Sequence, residues 1–219
     1  MRTIRVTGKG QMRVHPDTTR LTLTMEGIHE VYADTLRSSS EKTEAVKNVL
    51  SSFGFERSDL KTLDFRIHAE YEDFRDKKGT CRRRFVGYRY CHLAKIEFDS
   101  DNERLGKILS ALAKCSAKPE FRISCTVKDP KALKNALLGK AVTDAMEKAA
   151  VLAKAAGKTL GEIQSMDYSW GRIEFETGEV DTLALKECMP MDGSGCWNLD
   201  IEPDDIEAAD TVTIVWEIA

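Results

Sequence analysis

The apolar side chains of this chain recur with two different periods, and the order in which these periods follow one another is what most constrains the fold. Alternation with a period of two places every second side chain on one face of a β-strand. It is present near the start of the chain, at Ile4 and Val6, and again near the end, at Val212, Ile214 and Trp216. Both ends are therefore predicted to be strands, with Trp216 in a core.

Between these strands the period changes to that of a helix in three places. The first helix begins at about Tyr32 and ends before Gly54, a residue that can adopt the left-handed conformation found after helices. The second follows Asp101, which can cap a helix N-terminus. The third is rich in alanine, starts at Pro130 and ends before Gly157. The remaining alternating segments are predicted to be strands.

Two strand boundaries follow from local signals. Gly8 and Gly10 interrupt the first alternating run, so the first strand is expected to be short and to end there in a bend or bulge. A strand is predicted from Ile163 to Phe175, followed by a long loop over residues 177–200. The predicted order of elements is ββαββαβαββ.

This order lacks the strict alternation of strands and helices that parallel sheets require. It predicts an α+β fold with a mixed, mainly antiparallel sheet and three helices packed on one face. With 219 residues, 42% of them hydrophobic, the chain can bury a sizeable core, so residues 1–219 are expected to form a single domain. A Phe-Arg-Ile triplet at 65–67 and 121–123 also allows a weak internal duplication of residues 18–72 and 85–128.

The composition excludes some classes of protein. With 33 Lys and Arg against 36 Asp and Glu, the net charge of -3 lacks the basic excess of a dedicated nucleic-acid binder. No segment has the run of about 18 apolar residues that crosses a membrane. No apolar leader follows Met1, and the six cysteines show no close pairing. A cytoplasmic location is therefore expected.

The sequence offers no catalytic constellation. The four histidines are far apart and form no metal-binding pair on a helix, and no Gly-x-Ser-x-Gly motif is present. His92 is in phase with Tyr88 and Tyr90, so we expect it to be a hydrogen-bonded core residue. The protein is predicted to be no enzyme and to need no cofactor.

One loop suggests a different chemistry. Cys188, Met191 and Cys196 combine thiol and thioether groups, which suit a soft metal ion, and the two thiols could form a reversible disulfide. The alternative is a surface loop with two ordinary cysteines, since no close cysteine spacing supports a metal site. Cys125 is in phase with apolar neighbours and is expected to be buried and inert.

A second candidate is the charged stretch from Glu72 to Arg84, which is predicted to be a protruding hairpin tip. It is rich in basic residues and has Tyr71, Phe74 and Phe85 nearby. The candidate interaction residues are Arg75, Lys77, Lys78, Arg82, Arg83 and Arg84. Three interpretations stay open: charges that protect a sheet edge from aggregation, a self-assembly contact, and nucleic-acid binding, which the acidic net charge makes the least favoured.

For self-assembly, the basic hairpin needs an acidic partner on a neighbouring copy. The acidic C-terminal region supplies Asp204, Asp205 and Glu207 as candidates. Opposite charges on two copies attract and steer association. We therefore predict a homo-oligomer that associates through sheet edges and this charged hairpin.

Several runs of the sequence resemble the SIMPL family, which is also known as the oxidative-stress defence or periplasmic immunogenic protein family. The early runs are residues 4–10, 14–17 and 87–90, and the later ones are residues 128–130, 141–157, 201–203 and 212–218. The resemblance covers essentially the whole chain. Gly8-Lys9-Gly10 is not a phosphate-binding fingerprint, because the third glycine is missing and a strand follows.

The resemblance implies an α+β domain of poorly defined biochemical function, linked to stress protection and, in some members, to partner binding or self-assembly. It implies no agreed catalytic residues. The leading hypothesis is accordingly a non-enzymatic assembly or interaction protein. The alternatives are a thiol-redox or soft-metal protein that uses Cys188 and Cys196, and a nucleic-acid binder that uses residues 75–84.

Overall fold

The computed structural model describes residues 2–75, 81–168, 173, 175–178 and 201–219. These residues form three helices and seven strands in the predicted order, so both the α+β class and the order of elements are confirmed. The elements are β1 (Thr3–Val14), β2 (Thr18–His29), α1 (Tyr32–Ser51), β3 (Lys61–Arg75), β4 (Cys81–Asp99), α2 (Asn102–Lys114), β5 (Glu120–Thr126), α3 (Pro130–Ala155), β6 (Leu160–Tyr168) and β7 (Ile206–Ile218).

The strands form two antiparallel sheets rather than one, and the chain divides into two compact units. The terminal unit contains residues 1–17, 126–177 and 203–219, and the central unit contains residues 18–125 and 178–202. The single domain over residues 1–219 and the duplication of residues 18–72 and 85–128 stay predictions.

In the terminal unit, three strands in the order β1-β7-β6 carry helix α3 on one face. Strands β1 and β7 pair along their full length, from Thr3 opposite Glu217 to Val14 opposite Ile206. Trp216 is only 3% exposed and packs with Val6, in agreement with the predicted strand phase. The first and last strands of the chain thus build one core.

Strand β1 does not end at Gly8 and Gly10, so that prediction is wrong. The strand continues to Val14 because the two glycines lie beneath α3, where the helix backbone leaves no room for a side chain. A Cβ atom on Gly8 would come within 2.0 Å of the Ala141 carbonyl oxygen, and one on Gly10 within 2.1 Å of that of Leu137. These glycines serve close packing rather than a bend.

The Ala-rich sequence of α3 is the other half of this contact. Its buried side chains recur every four residues, which brings them onto one stripe of the helix. They are Leu137, Ala141, Ala145, Ala149 and Ala153. The N-terminus is fixed as expected, since the Ala132 amide N–H donates to the Asp129 carboxylate at 2.9 Å and Pro130 occupies the first turn.

In the central unit, four strands in the order β3-β4-β2-β5 are joined by α1 and α2 in a β-α-β-β-α-β sequence, the ferredoxin-like arrangement. Helix α1 packs on β2 and β4 and also contacts α2. Asp101 caps α2 as predicted, accepting from the Arg104 amide N–H at 2.9 Å. Leu21, Ile96 and Leu109 are among the fully buried residues of the core.

The predicted strand from Ile163 to Phe175 is wrong at its C-terminal end, because β6 is described over Leu160–Tyr168 and Phe175 lies in no strand. Phe175 is buried, but it lies in a separate small cluster with Val127 and Ile206. The Thr126 hydroxyl donates to the Phe175 carbonyl oxygen at 2.6 Å. Phe175 continues the alternating pattern of β6 in the sequence, but its side chain packs in this separate cluster.

Candidate interaction surface on strands β3 and β4

Strand β3 is a long strand at the edge of the central sheet. Its 15 residues pair with β4, and no other described strand pairs with it. Nearly all of its residues are exposed, because α1 packs on β2 and β4 and does not reach β3. Leu63 and Phe65 are among the exposed apolar side chains on it. The row of backbone groups along its free edge can hydrogen-bond to another strand.

Two register shifts divide this strand. They lie between Thr62 and Asp64 and between Glu70 and Tyr71, so residues 64–70 form a regular segment of seven residues between two irregularities. The side chains on its outer face are Asp64, Arg66, His68 and Glu70. We call this segment the β3 edge. It has the regular geometry that strand pairing needs, and it carries charges of both signs that can pair across two strands.

Beyond the second shift, β3 and β4 continue as a two-stranded ribbon. We define the distal ribbon as residues 71–75 and 81–85, all of which are exposed. The stretch from Glu72 to Arg84 does belong to an exposed β3–β4 hairpin, but the strands extend further than expected, since only residues 76–80 lie outside the described strands. Cross-strand pairing extends the strands through a sequence that composition alone marks as a loop.

The arginines of the distal ribbon have partners within the chain. Arg84 forms an ion pair with Glu72, and Arg83 Nε lies 3.9 Å from Asp73 Oδ1. Arg82 also has an interaction partner. Arg75 is exposed, and the predicted residues Lys77 and Lys78 lie outside the described residues. The basic stretch is therefore partly neutralised by the acidic residues on the opposite strand.

Aromatic rings form a ladder along the same ribbon. Edge-to-face contacts join Tyr71 to Phe85 at 5.6 Å, Phe85 to Tyr88 at 5.3 Å and Tyr88 to Tyr32 at 5.3 Å between ring centroids. Sequence reasoning missed this ladder because the register shift near Gly87 and the position of Tyr32 on α1 cannot be read from periodicity.

The acidic region proposed to meet the hairpin also has intrachain partners. Glu207 Oε1 lies 2.6 Å from Arg13, and Asp205 Oδ1 lies 3.3 Å from His15 Nδ1. Asp204 Oδ1 accepts from the Asp205 amide N–H at 2.8 Å. Both the basic and the acidic residues predicted to join two copies therefore already have partners within one chain.

A groove of about 570 Å³ lies on the terminal unit, between the β1 side chains Lys9, Gln11 and Arg13 and residues 207–209 of β7. Its lining is mainly polar, and the Arg13 side chain is already paired with Glu207. Because the glycines of β1 face α3, their neighbours must face the opposite side. That alternation is the sequence signal that could have revealed the groove.

His92 is a structural residue, as expected. Its Nδ1 lies 3.0 Å from the Thr43 hydroxyl and its Nε2 lies 2.9 Å from the Thr62 hydroxyl. The Thr43 hydroxyl donates to the Ser39 carbonyl, so it accepts from Nδ1–H and Nε2 accepts from Thr62. Burial, with a smaller effect of the positive charge of Lys47, lowers the pKa of His92 and keeps the ring neutral.

Of the four described cysteines, Cys81 is exposed on the distal ribbon, and the other three are less accessible. Cys125 and Cys115 are buried, and burial together with Glu26 raises the pKa of the Cys91 thiol. Cys188, Met191 and Cys196, the candidates for redox or metal chemistry, lie outside the described residues. Within the described ranges, no group of three or more His, Cys, Asp or Glu side chains could hold a metal ion.

Two curated relatives resemble the chain. Both are named "26 kDa periplasmic immunogenic protein", one from Brucella melitensis biotype 1 and one from Brucella abortus strain S19. Each is 26% identical over 160 residues, which cover 73% of this chain and 64% of the relative. The match thus spans less than two thirds of each relative.

These names overturn the expected cytoplasmic location, because both relatives are called periplasmic. Among the described helices, none has the length and apolar character to cross a membrane.

A family model covers almost the whole chain. It is that of SIMPL, described as a protein of unknown function (DUF541), and it matches residues 4–216. The match contains the close contact between Gly8, Gly10 and the alanines of α3, and also the β3–β4 pair. The chain belongs to the SIMPL family.

Proposed function

We propose that the protein is a non-enzymatic, self-assembling protein of the periplasm, and that two copies pair through their β3 edges. The observation that carries the proposal is the regular, uncovered segment 64–70 at the margin of the central sheet. The family has no established activity, and the relatives are named as immunogenic proteins, not as enzymes. The same names support the periplasm as the location.

The terminal unit shows how an edge is closed in this protein. Strand β1 is also an edge strand, but α3 covers part of it: the Lys9 amide N–H donates to Asp144 Oδ2 at 2.7 Å, and Lys140 Nζ donates to the Gln11 carbonyl at 3.5 Å. Side chains that occupy edge groups prevent another strand from pairing there. None of the three described helices covers the β3 edge in this way.

The side chains of the β3 edge favour one register. If two copies pair antiparallel about His68, each Arg66 lies opposite Glu70 of the second copy, and Ile67 lies opposite Ala69. Opposite charges directly across a strand pair stabilise it by about 0.2–1 kcal/mol each. Pairing about Ile67 would instead place Asp64 opposite Glu70. Within the regular segment 64–70, the charges therefore favour the register centred on His68, which gives a two-fold symmetric contact.

An ionic contact between copies remains part of the proposal as a secondary element. It would join Arg75, Arg82, Arg83 and Arg84 of one copy to Asp204, Asp205 and Glu207 of another. Exposed ion pairs contribute only about 0–1 kcal/mol, and several of these groups already have partners within the chain. Arg66 and Glu70 of the β3 edge also have partners within the chain. The β3 edge is nevertheless the main contact, because its unpaired backbone groups add a row of hydrogen bonds to the charge pairs.

A charge swap tests the register. Light scattering coupled to size exclusion should give the parent a mass above the 24.6 kDa of one chain. Arg66→Glu and Glu70→Arg should each shift the protein to a smaller species, because like charges then face each other. The double variant should recover the parent mass, because the pairs are restored with reversed sign.

Lys131→Glu is the matched control, since it makes the same charge change at an exposed position of α3 and should leave the mass unchanged. Thermal unfolding of each variant separates loss of assembly from loss of folding. A parent that is monomeric at every concentration contradicts the assembly proposal, and a double variant that stays small contradicts the register.

A further inference from the structure

The distal ribbon carries large apolar side chains without support from any described layer. All residues in segments 71–75 and 81–85 are exposed, so neither face of the ribbon is covered by a described helix or by the other described sheet. Tyr71, Phe74 and Phe85 nevertheless expose 40–48% of their surface. Exposed aromatic clusters of this kind mark a surface that contacts something else.

The aromatic rings lie on both faces of the ribbon. Tyr71 is opposite Phe85 in the register, so these two share one face, and Phe74, three residues along from Tyr71, lies on the other. A folded partner, including a second copy, would cover one face and leave the other in water. A fluid layer that surrounds the ribbon covers both faces at once.

The charged residues of the ribbon indicate that the surrounding layer is negatively charged. Its described residues include four arginines and two acidic residues, whereas the whole chain has a net charge of -3. Arg83 lies over the Tyr71 ring at 5.0 Å and Arg84 over the Phe74 ring at 5.7 Å. Arginine combines an apolar stem with a charged head, which suits it to the boundary between lipid tails and anionic headgroups.

We propose that the distal ribbon docks into the headgroup region of an anionic phospholipid surface. Tyrosine and other aromatic rings are favoured at this depth of a bilayer, and basic side chains are attracted to an anionic surface. Five residues of strand extend about 16 Å. Peripheral elements lie about 5–10 Å deep in the interface, so the ribbon is long enough to reach this depth. The inference concerns the distal ribbon alone and does not depend on assembly through the β3 edge.

The same groups are less suited to single-stranded nucleic acid, which stacks its bases on open ring faces. Guanidinium groups lie over the rings of Tyr71 and Phe74, and Tyr71 and Phe85 meet edge to face with 67° between their planes. A platform for successive bases is therefore missing on the described ribbon. Anchoring in an interface needs ring bulk and cationic charge and does not require a free ring face.

Vesicle co-sedimentation tests the proposal on the full chain. The parent should bind vesicles of phosphatidylcholine mixed with phosphatidylglycerol at least about tenfold more tightly than vesicles of phosphatidylcholine alone. The variant Tyr71→Ser/Phe74→Ser/Phe85→Ser should bind the anionic vesicles at least about tenfold more weakly than the parent. Because these side chains are exposed, the variant should retain the parent's thermal unfolding.

A matched control removes three exposed apolar residues from α3: Met146→Ser/Val151→Ser/Leu152→Ser. It should keep full vesicle binding. Equal losses in the two triple variants, or a parent that ignores anionic vesicles, would overturn the proposal. So would a parent that binds single-stranded oligonucleotides through the three aromatic residues but does not bind vesicles. The mass of each variant, measured in parallel, reports on the β3 edge independently.

Discussion

Helices α3 and α1 both pack on antiparallel sheets, but they make that contact with opposite kinds of side chain. Helix α3 approaches its sheet through alanines over Gly8 and Gly10, so backbone lies almost directly on backbone. Helix α1 places polar Thr35 and Ser39 against its sheet in the first half and Val46 in the second. The Thr35 hydroxyl donates to the Tyr88 carbonyl at 3.3 Å.

Each kind of contact makes its unit sensitive to a different change. The contact in the terminal unit leaves no space, so even a methyl group at the glycines must move the helix. The contact in the central unit depends on buried hydrogen bonds, so it is sensitive to which groups carry protons. We therefore expect the terminal unit to be most sensitive to side-chain size and the central unit to be more sensitive to pH.

The largest expected effect is in the core of the terminal unit. Trp216→Ala should lower the free energy of unfolding by about 3–5 kcal/mol, because it removes a buried ring beneath α3. Chemical denaturation measures this change, and Trp216→Phe should retain part of the stability as the matched control. A Trp216→Ala variant that unfolds like the parent would show that the ring is not packed as described.

The next effect tests the glycine contact directly. Gly8→Ala should destabilise the protein by about 3 kcal/mol, at the upper end of the range for overpacking, because the contact atom is helix backbone. Gly139→Ala is the control, since its Cβ would meet no atom within 4 Å on exposed α3. It should stabilise the protein by about 0.5–1 kcal/mol. Equal effects of the two substitutions would show that the contact between Gly8 and α3 does not make the terminal unit sensitive to side-chain size.

The smallest effect concerns pH in the central unit. The pKa of His92 is lowered in the folded state, so below about pH 6.5 the unfolded chain binds a proton more readily than the folded one. Stability should therefore fall as the pH is lowered through this value, by at most about 1.4 kcal/mol per pH unit. The fall should then level off once the folded-state His92 is also protonated.

Thermal unfolding of the parent and of His92→Gln between neutral and mildly acidic pH isolates this contribution. The difference in unfolding temperature between the two proteins should shrink as the pH falls. His68→Gln, at an exposed position of β3, serves as the control and should follow the parent. A difference that is constant with pH would show that His92 is not kept neutral by its surroundings.

The order of elements could be predicted because each helix and strand carries its own period and its own ends, as with Asp101, Asp129 and Pro130. The division into two sheets could not, because a period of two says which face of β1 is buried but not that β7 is its partner. The extension of β1 past Gly8 and Gly10 depends on the approach of α3, a contact between residues far apart in sequence.

The candidate site followed the same pattern. Composition directed attention to Arg82, Arg83 and Arg84, and these residues do lie on an exposed ribbon. Their pairing with Glu72 and Asp73 and the stacking of Arg83 on Tyr71 depend on the register of β3 against β4. The register in turn includes a shift near Gly87 that no local pattern of the sequence reports.

The pairing of β1 with β7 sets the order in which the protein can be completed during synthesis. Thr3 lies opposite Glu217, so the strand made first cannot find its partner until the ribosome has finished almost the whole chain. Residues 18–125 are continuous and contain every helix and strand of the central sheet, so they can fold while β1 waits. The same proximity of β1 and β7 makes the chain suited to circular permutation, with these two strands joined by a short linker.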